Sequence, residues 1–157
     1  MQTLDLIDRK ILAELMRDAT IPIARLADRV GLSQTPCWKR VQKLQARGII
    51  RGRVAIVDQA SIGFGLTAFV GIEAGDHSPG WRTSFLNALH QLPQVLEVNR
   101  MAGDLDYLLR VVLPDMAAYD SFYHALTQAV AVKRVAAQFV MEQLKADTVL
   151  PLNVTTH

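Results

Sequence analysis

Apolar residues at Leu4, Ile7, Ile11, Leu12 and Leu15 recur at helical spacing, with Asp5 and Asp8 near the start, where a helix dipole favours anions. This pattern predicts a first helix over 5–17. Thr20-Ile21-Pro22 breaks it, and Pro22 suits the first turn of a second helix. That helix has one apolar face, made of Ile23, Leu26, Ala27 and Val30, and Gly31 stands where a helix stop belongs. Ser33 is a favourable N-cap for a third helix, and Pro36 falls in its first turn, where a missing N–H costs little. Cys37, Val41 and Leu44 form its buried stripe and Gly48 ends it. Three short helices with a tight glycine-containing turn between the second and third make a helix-turn-helix pattern. The run 49–57 reads as a β segment, and 58–65 as a linker ending in Gly63 and Gly65.

The second half changes period. Residues 66–73 are strand-like, and 75–80 is a turn cluster. Trp81, Phe85, Leu86 and Leu89 mark a helix closed by Pro93. Strands follow over 95–100 and 107–113, separated by the turn Ala102-Gly103-Asp104, and Pro114 stops the second. Tyr119, Phe122, Tyr123 and Leu126 mark another helix, and 132 to about 144 offers a long closing strand. The order is βαββαβ, a ferredoxin-like split pattern. The fold class is therefore α+β. A winged-helix-like helix-turn-helix domain occupies 4–65, and a βαββαβ domain occupies 66–157.

Charge separates the halves further. Residues 1–53 carry 11 Lys+Arg against 5 Asp+Glu, and 54–157 carry 6 against 10, so the net +2 conceals +6 and −4. A basic half beside an acidic one implies that only the first meets a polyanion. No apolar run approaches the ~18 residues of a membrane span, and the charged start is unlike a signal peptide. The single cysteine, Cys37, rules out an internal disulfide framework or a cysteine-based zinc cage, and points to a reducing cytoplasm.

On a helical wheel with Cys37, Val41 and Leu44 facing the core, Thr35, Trp38, Lys39, Gln42 and Lys43 fall on the far side. Such a face suits a recognition helix: cations reach phosphates, Gln addresses adenine and Lys guanine. With Ser33 and Gln34 at the helix start, these seven residues are the candidate contacts to double-stranded DNA. The bland alternative is a solvated charged face. Trp38 reads equally as a packed core-edge residue or as a contact to the DNA backbone. Arg40 reads equally as a flank contact or as a partner of Asp8. Cys37 reads as a buried, inert thiol, with a redox or ligand role as the alternative.

The runs Ile7-Asp8-Arg9-Lys10-Ile11-Leu12, Leu26-Ala27-Asp28-Arg29-Val30-Gly31-Leu32-Ser33 and Thr35-Pro36-Cys37-Trp38-Lys39-Arg40-Val41 resemble the DNA-binding half of the Lrp/AsnC (leucine-responsive, feast–famine) transcriptional regulators. Gly103-Asp104-Leu105-Asp106-Tyr107 resembles the Gly-Asp-x-Asp-Tyr segment of that family's second domain, and Leu150-Pro151-Leu152 its ending. The resemblance covers nearly the whole chain. It implies a sheet-mediated homodimer that assembles further, commonly into octamers. It also implies small-molecule effectors, usually amino acids, bound at subunit interfaces near the 103–107 loop. Ala102, Gly103, Asp104, Asp106 and Tyr107 are the candidate effector residues. Chemistry agrees: a glycine turn admits a ligand to backbone N–H groups, and either aspartate can meet an α-ammonium. The alternative role of Asp104 and Asp106 is to shape the turn. Trp38, Trp81 and His77 are not dictated by the family pattern. They suggest a subgroup, with a sulfur amino acid as one candidate effector.

Enzyme chemistry lacks its motifs. His77, His90, His124 and His157 have no metal spacing, and no Gly-x-Ser-x-Gly elbow or phosphate loop occurs. Gly63-Phe64-Gly65 opens a strand rather than a helix, so it is no dinucleotide fingerprint. No cofactor or metal is expected. The expected function is a DNA-binding regulator answering to a metabolite. The alternatives are an architectural DNA-binding protein without a ligand and, more remotely, a small ferredoxin-like enzyme.

Overall fold

The computed structural model describes residues 4–152, so the end of the expected second domain, 153–157, lies outside the described residues. The chain divides into two compact units.

The first unit holds α1 (Leu6–Arg17), α2 (Ile23–Val30) and α3 (Gln34–Ala46). Asp5 caps α1, its carboxylate accepting from the Asp8 N–H at 2.7 Å. Pro22 sits at the N-cap of α2, one residue before the expected first turn. Gly31 ends α2 at φ +74°, a left-handed geometry that costs glycine no Cβ clash. Ile11, Leu26, Cys37 and Leu44 are essentially inaccessible and form the centre of the core. Each helix thus contributes one stripe, and none could bury it alone.

The second unit has β1 (Leu66–Ala74), α4 (Pro79–His90), β2 (Val95–Arg100), β3 (Tyr107–Leu113), α5 (Met116–Ala129) and β4 (Val132–Phe139). The sheet order is β2-β3-β1-β4, antiparallel throughout. Ala68, Val70 and Ile72 of β1 and Tyr107, Leu109 and Val111 of β3 point to one face. There they pack on Phe85 and Leu89 of α4 and Phe122 and Leu126 of α5. The intervening positions of the two central strands, Phe69, Gly71, Leu108 and Arg110, point the other way.

Three expectations need correction. The 49–57 run forms no strand: residues 51–57 are irregular and exposed, with Val54 and Ile56 86% and 80% accessible. A β-type sequence needs a neighbour to accept its backbone bonds, and the described chain supplies none there. The closing strand ends at Phe139 rather than near 144, because its partner β1 runs out. The register reaches Ala68↔Phe139, and the Val140 N–H to Thr67 carbonyl bond at 2.9 Å is the last rung. Finally, the division falls between Ile56 and Val57 rather than after Gly65, and the tail from Leu144 belongs to the first unit. Leu152 packs against the helical core, and the Leu150 N–H lies 3.4 Å from the Met16 sulfur.

Candidate DNA-binding face and effector groove

In the first unit, Ser33, Gln34, Thr35, Trp38, Lys39, Gln42 and Lys43 are all exposed on α3, while Cys37, Val41 and Leu44 on its opposite side are buried. Ser33 takes N-cap backbone geometry, yet its hydroxyl makes no capping bond. The reason lies in Pro36: an N-cap side chain bonds the N–H of the second or third helical residue, and the third here is proline. Ser33 is exposed along with the rest of the face. Trp38 is 52% accessible, which decides against its packed reading.

Arg40 turns the other way. Its Nη1 donates to Asp5 Oδ2 at 2.6 Å and to Asp8 Oδ1 at 2.7 Å, joining α3 to the start of α1. The Asp8 backbone N–H, and after it the Arg40 guanidinium, hold the Asp5 carboxyl below its ordinary value. Arg40 is thus a structural partner of α1. Cys37 is fully buried and burial pushes its thiol upward, away from the reactive thiolate.

In the second unit, a groove of about 430 Å³ opens between α4 and the β2–β3 hairpin, within the ~300–1,000 Å³ range of small-molecule sites. Its walls include His77, Trp81, Arg82, Arg100, Asp106 and Tyr107. The aromatic wall is rigid. Trp81 stacks on Phe85 with centroids 4.9 Å apart, Tyr107 lies 4.7 Å from Phe85, and the Trp81 indole N–H donates to the Ala131 carbonyl at 2.6 Å. Arg100 reaches the groove because β2 pairs it opposite Tyr107, which puts both side chains on one sheet face.

Asp106 serves two masters. Its Oδ2 accepts from the Ala74 N–H at 2.7 Å, while its Oδ1 lies 3.8 Å from His77 Nδ1. Its own N–H donates to the Ile72 carbonyl and its carbonyl accepts from the Met101 N–H. The turn-shaping role therefore holds for Asp106, with one oxygen still directed at the groove. Leu105, beside it, crosses to the opposite sheet face. A Cβ built on Gly71 would stand 2.6 Å from Leu105 Cδ1, so that glycine is what admits the leucine.

Of the expected effector residues, Asp106 and Tyr107 line this groove, whereas Ala102, Gly103 and Asp104 are exposed on the preceding turn and do not. Gly103 has φ +130° and nothing within 4 Å of where its Cβ would be, so the turn needs glycine for conformation rather than for space. Arg82 and Arg100 escaped the sequence reading. Arg100 lies two residues before Ala102, but only the hairpin register turns it toward Tyr107. Among the described residues, no three His, Cys, Asp or Glu side chains gather as a metal site. No helix among them is long and apolar enough to cross a membrane.

Comparison with known proteins agrees with both halves. Residues 4–45 match the AsnC-type helix-turn-helix domain, and 67–150 match the Lrp/AsnC ligand binding domain. The chain is 47% identical over 150 residues to the DNA-binding transcriptional activator DecR of Escherichia coli K12, covering 95% of this chain and 99% of the relative. An AsnC family transcriptional regulator from Agrobacterium tumefaciens superposes with a TM-score of 0.91 at 46% identity, over 98% and 100% of the two chains. A Neisseria meningitidis transcriptional regulator solved with L-methionine superposes with a TM-score of 0.91 at 33% identity, over 96% and 98%. Caps, core stripes, sheet order and these likenesses run together from end to end: the chain belongs to the Lrp/AsnC family of helix-turn-helix transcriptional regulators, which are DNA-binding proteins and not enzymes.

Proposed function

We propose that this regulator reads double-stranded DNA with Ser33, Gln34, Thr35, Trp38, Lys39, Gln42 and Lys43. We propose further that it answers to an amino acid bound at Ala102, Gly103, Asp104, Asp106 and Tyr107 and in the adjoining groove. The observation that carries the first part is the division of α3 into a buried apolar side and a side exposing every one of those seven residues. The L-methionine held by the Neisseria relative supports the second part.

In this reading the protein works in the cytoplasm as a homodimer, with an octamer as one further assembly. Phe69, 37% accessible on the sheet face opposite the one that packs on α4 and α5, supports a face-to-face sheet dimer. Two recognition helices related by a two-fold axis then match a pseudo-palindromic site with half-sites about one helical turn, or a multiple, apart. A metabolite changes DNA binding only by preferring one subunit arrangement over another.

The test is DNA titration at several salt concentrations with Lys39→Ala and Lys43→Ala. Each variant weakens binding, and each lost phosphate contact lowers the salt slope by about one unit per protomer. Parental affinity and slope in both variants would remove α3 as the reading element.

A further inference from the structure

We infer that the groove between α4 and the β2–β3 hairpin selects an acidic amino acid, one with a second carboxylate on its side chain. This rests on the effector reading above and narrows its ligand.

The argument is one of charge. Two guanidiniums, Arg82 and Arg100, line the groove, against a single carboxylate, Asp106. Among the described residues neither arginine forms an ion pair with a carboxylate, whereas Arg110, on the opposite sheet face, is paired with Glu97 at 2.7 Å. Lys133, also within electrostatic reach of Asp106, is neutralised by its own bond to Glu73. Two guanidiniums against one carboxylate leave the groove one positive charge more than that carboxylate balances. A neutral amino acid, a zwitterion, occupies one guanidinium and Asp106 and leaves the second guanidinium unmatched. A dicarboxylic amino acid, with net charge −1, matches all three groups.

The roles follow from the chemistry. Arg82 and Arg100 each offer a planar fork of N–H donors suited to a carboxylate. Asp106 Oδ1 is the oxygen not committed to the Ala74 N–H, so it is the one available to an α-ammonium. Trp81, with its N–H already bonded to the Ala131 carbonyl, presents only its ring, an apolar surface for the methylenes between the charges.

The experiment is calorimetric titration of the full chain with L-glutamate and L-aspartate, and with their neutral isosteres L-glutamine and L-asparagine. L-methionine and L-cysteine serve as further neutral probes, and glutarate as a dicarboxylate without the ammonium. One acidic amino acid binds most tightly, its neutral amide is weaker by about tenfold or more, and glutarate is weaker as well. Arg82→Gln and Arg100→Gln each remove most of the preference for acid over amide, while circular dichroism stays parental. Tighter binding of a neutral amino acid, or an unchanged preference in both variants, would overturn the inference and leave the effector reading standing. Binding of none of these probes, nor of any other amino acid in a thermal-shift screen, would overturn both. The isostere comparison needs no variant, so the question is settled even if an arginine replacement fails to fold.

Discussion

Arg40→Ala separates what holds the helical unit together from what reads DNA. The parent guanidinium makes two charge-assisted bonds, to Asp5 and to Asp8. Their environments differ: the Asp8 side chain is 11% accessible, that of Asp5 52%, and that of Arg40 34%. An exposed pair contributes ~0.2–1 kcal/mol, and breaking a buried one costs ~3–5 kcal/mol. The Asp5 arm belongs to the first class and the Asp8 arm lies between the two, so the combined loss is about 2 kcal/mol. Urea unfolding measures it directly. The chain has two tryptophans, one in each unit, so a Trp81→Phe background leaves Trp38 of α3 as the fluorescent reporter of the helical unit. Arg40→Ala in that background lowers the unfolding free energy by about 2 kcal/mol, and Arg40→Lys, a single point charge without the fork, falls between variant and parent. Because the guanidinium is turned toward α1, the salt slope of DNA binding stays parental, unlike that of Lys39→Ala. A stability change under about 0.5 kcal/mol, the range of ordinary surface substitutions, would refute the reasoning.

Acid should weaken the same unit. Asp5 is held below its ordinary value of 3.8, and a carboxylate depressed in the folded state stabilises above its unfolded pKa and loses that contribution as pH falls through the folded one. Stability therefore declines below about pH 4, and Asp5→Ala flattens that decline in urea titrations at a series of acid pH values. In the second unit, Gly75→Ala places a Cβ 2.9 Å from the Ala131 carbonyl oxygen, the acceptor that anchors the Trp81 indole. Backbone must shift on one side or the other, at a cost of about 1–3 kcal/mol, visible as a lower Tm and an altered Trp81 fluorescence in a Trp38→Phe background.

Local order was legible from the residues because the signals are short-range. The helix stripes, the Gly31 stop, the strands 95–100 and 107–113 and the βαββαβ order depend on spacing within one element, and the structure carries them as read. The exposure of Lys39, Gln42 and Lys43 follows from the helical period once Cys37 and Leu44 are placed inside. The Ser33 cap is instructive: the residue type was right for the position, but Pro36 at the third helical position removes a hydrogen that its hydroxyl would have bonded.

Periodicity and turn chemistry act over a few residues, so the order of residues alone shows which segments are helix or strand and which of their sides are apolar. Where strands end and which side chains meet is set by packing between elements. Residues 51–57 have strand composition but no partner strand among the described residues, and β4 ends beside the start of its antiparallel partner β1, because a strand exists only as far as its neighbour's backbone can bond it. Arg40 resolved toward Asp5 and Asp8, 35 and 32 positions away, and Arg100 came to the groove through its register with Tyr107. The Arg40 pairing depends on the path of the chain through three helices, and no window of residues around it contains Asp5 or Asp8. Arg100 and Tyr107 are near in sequence, yet only the register of their hairpin sets them opposite each other.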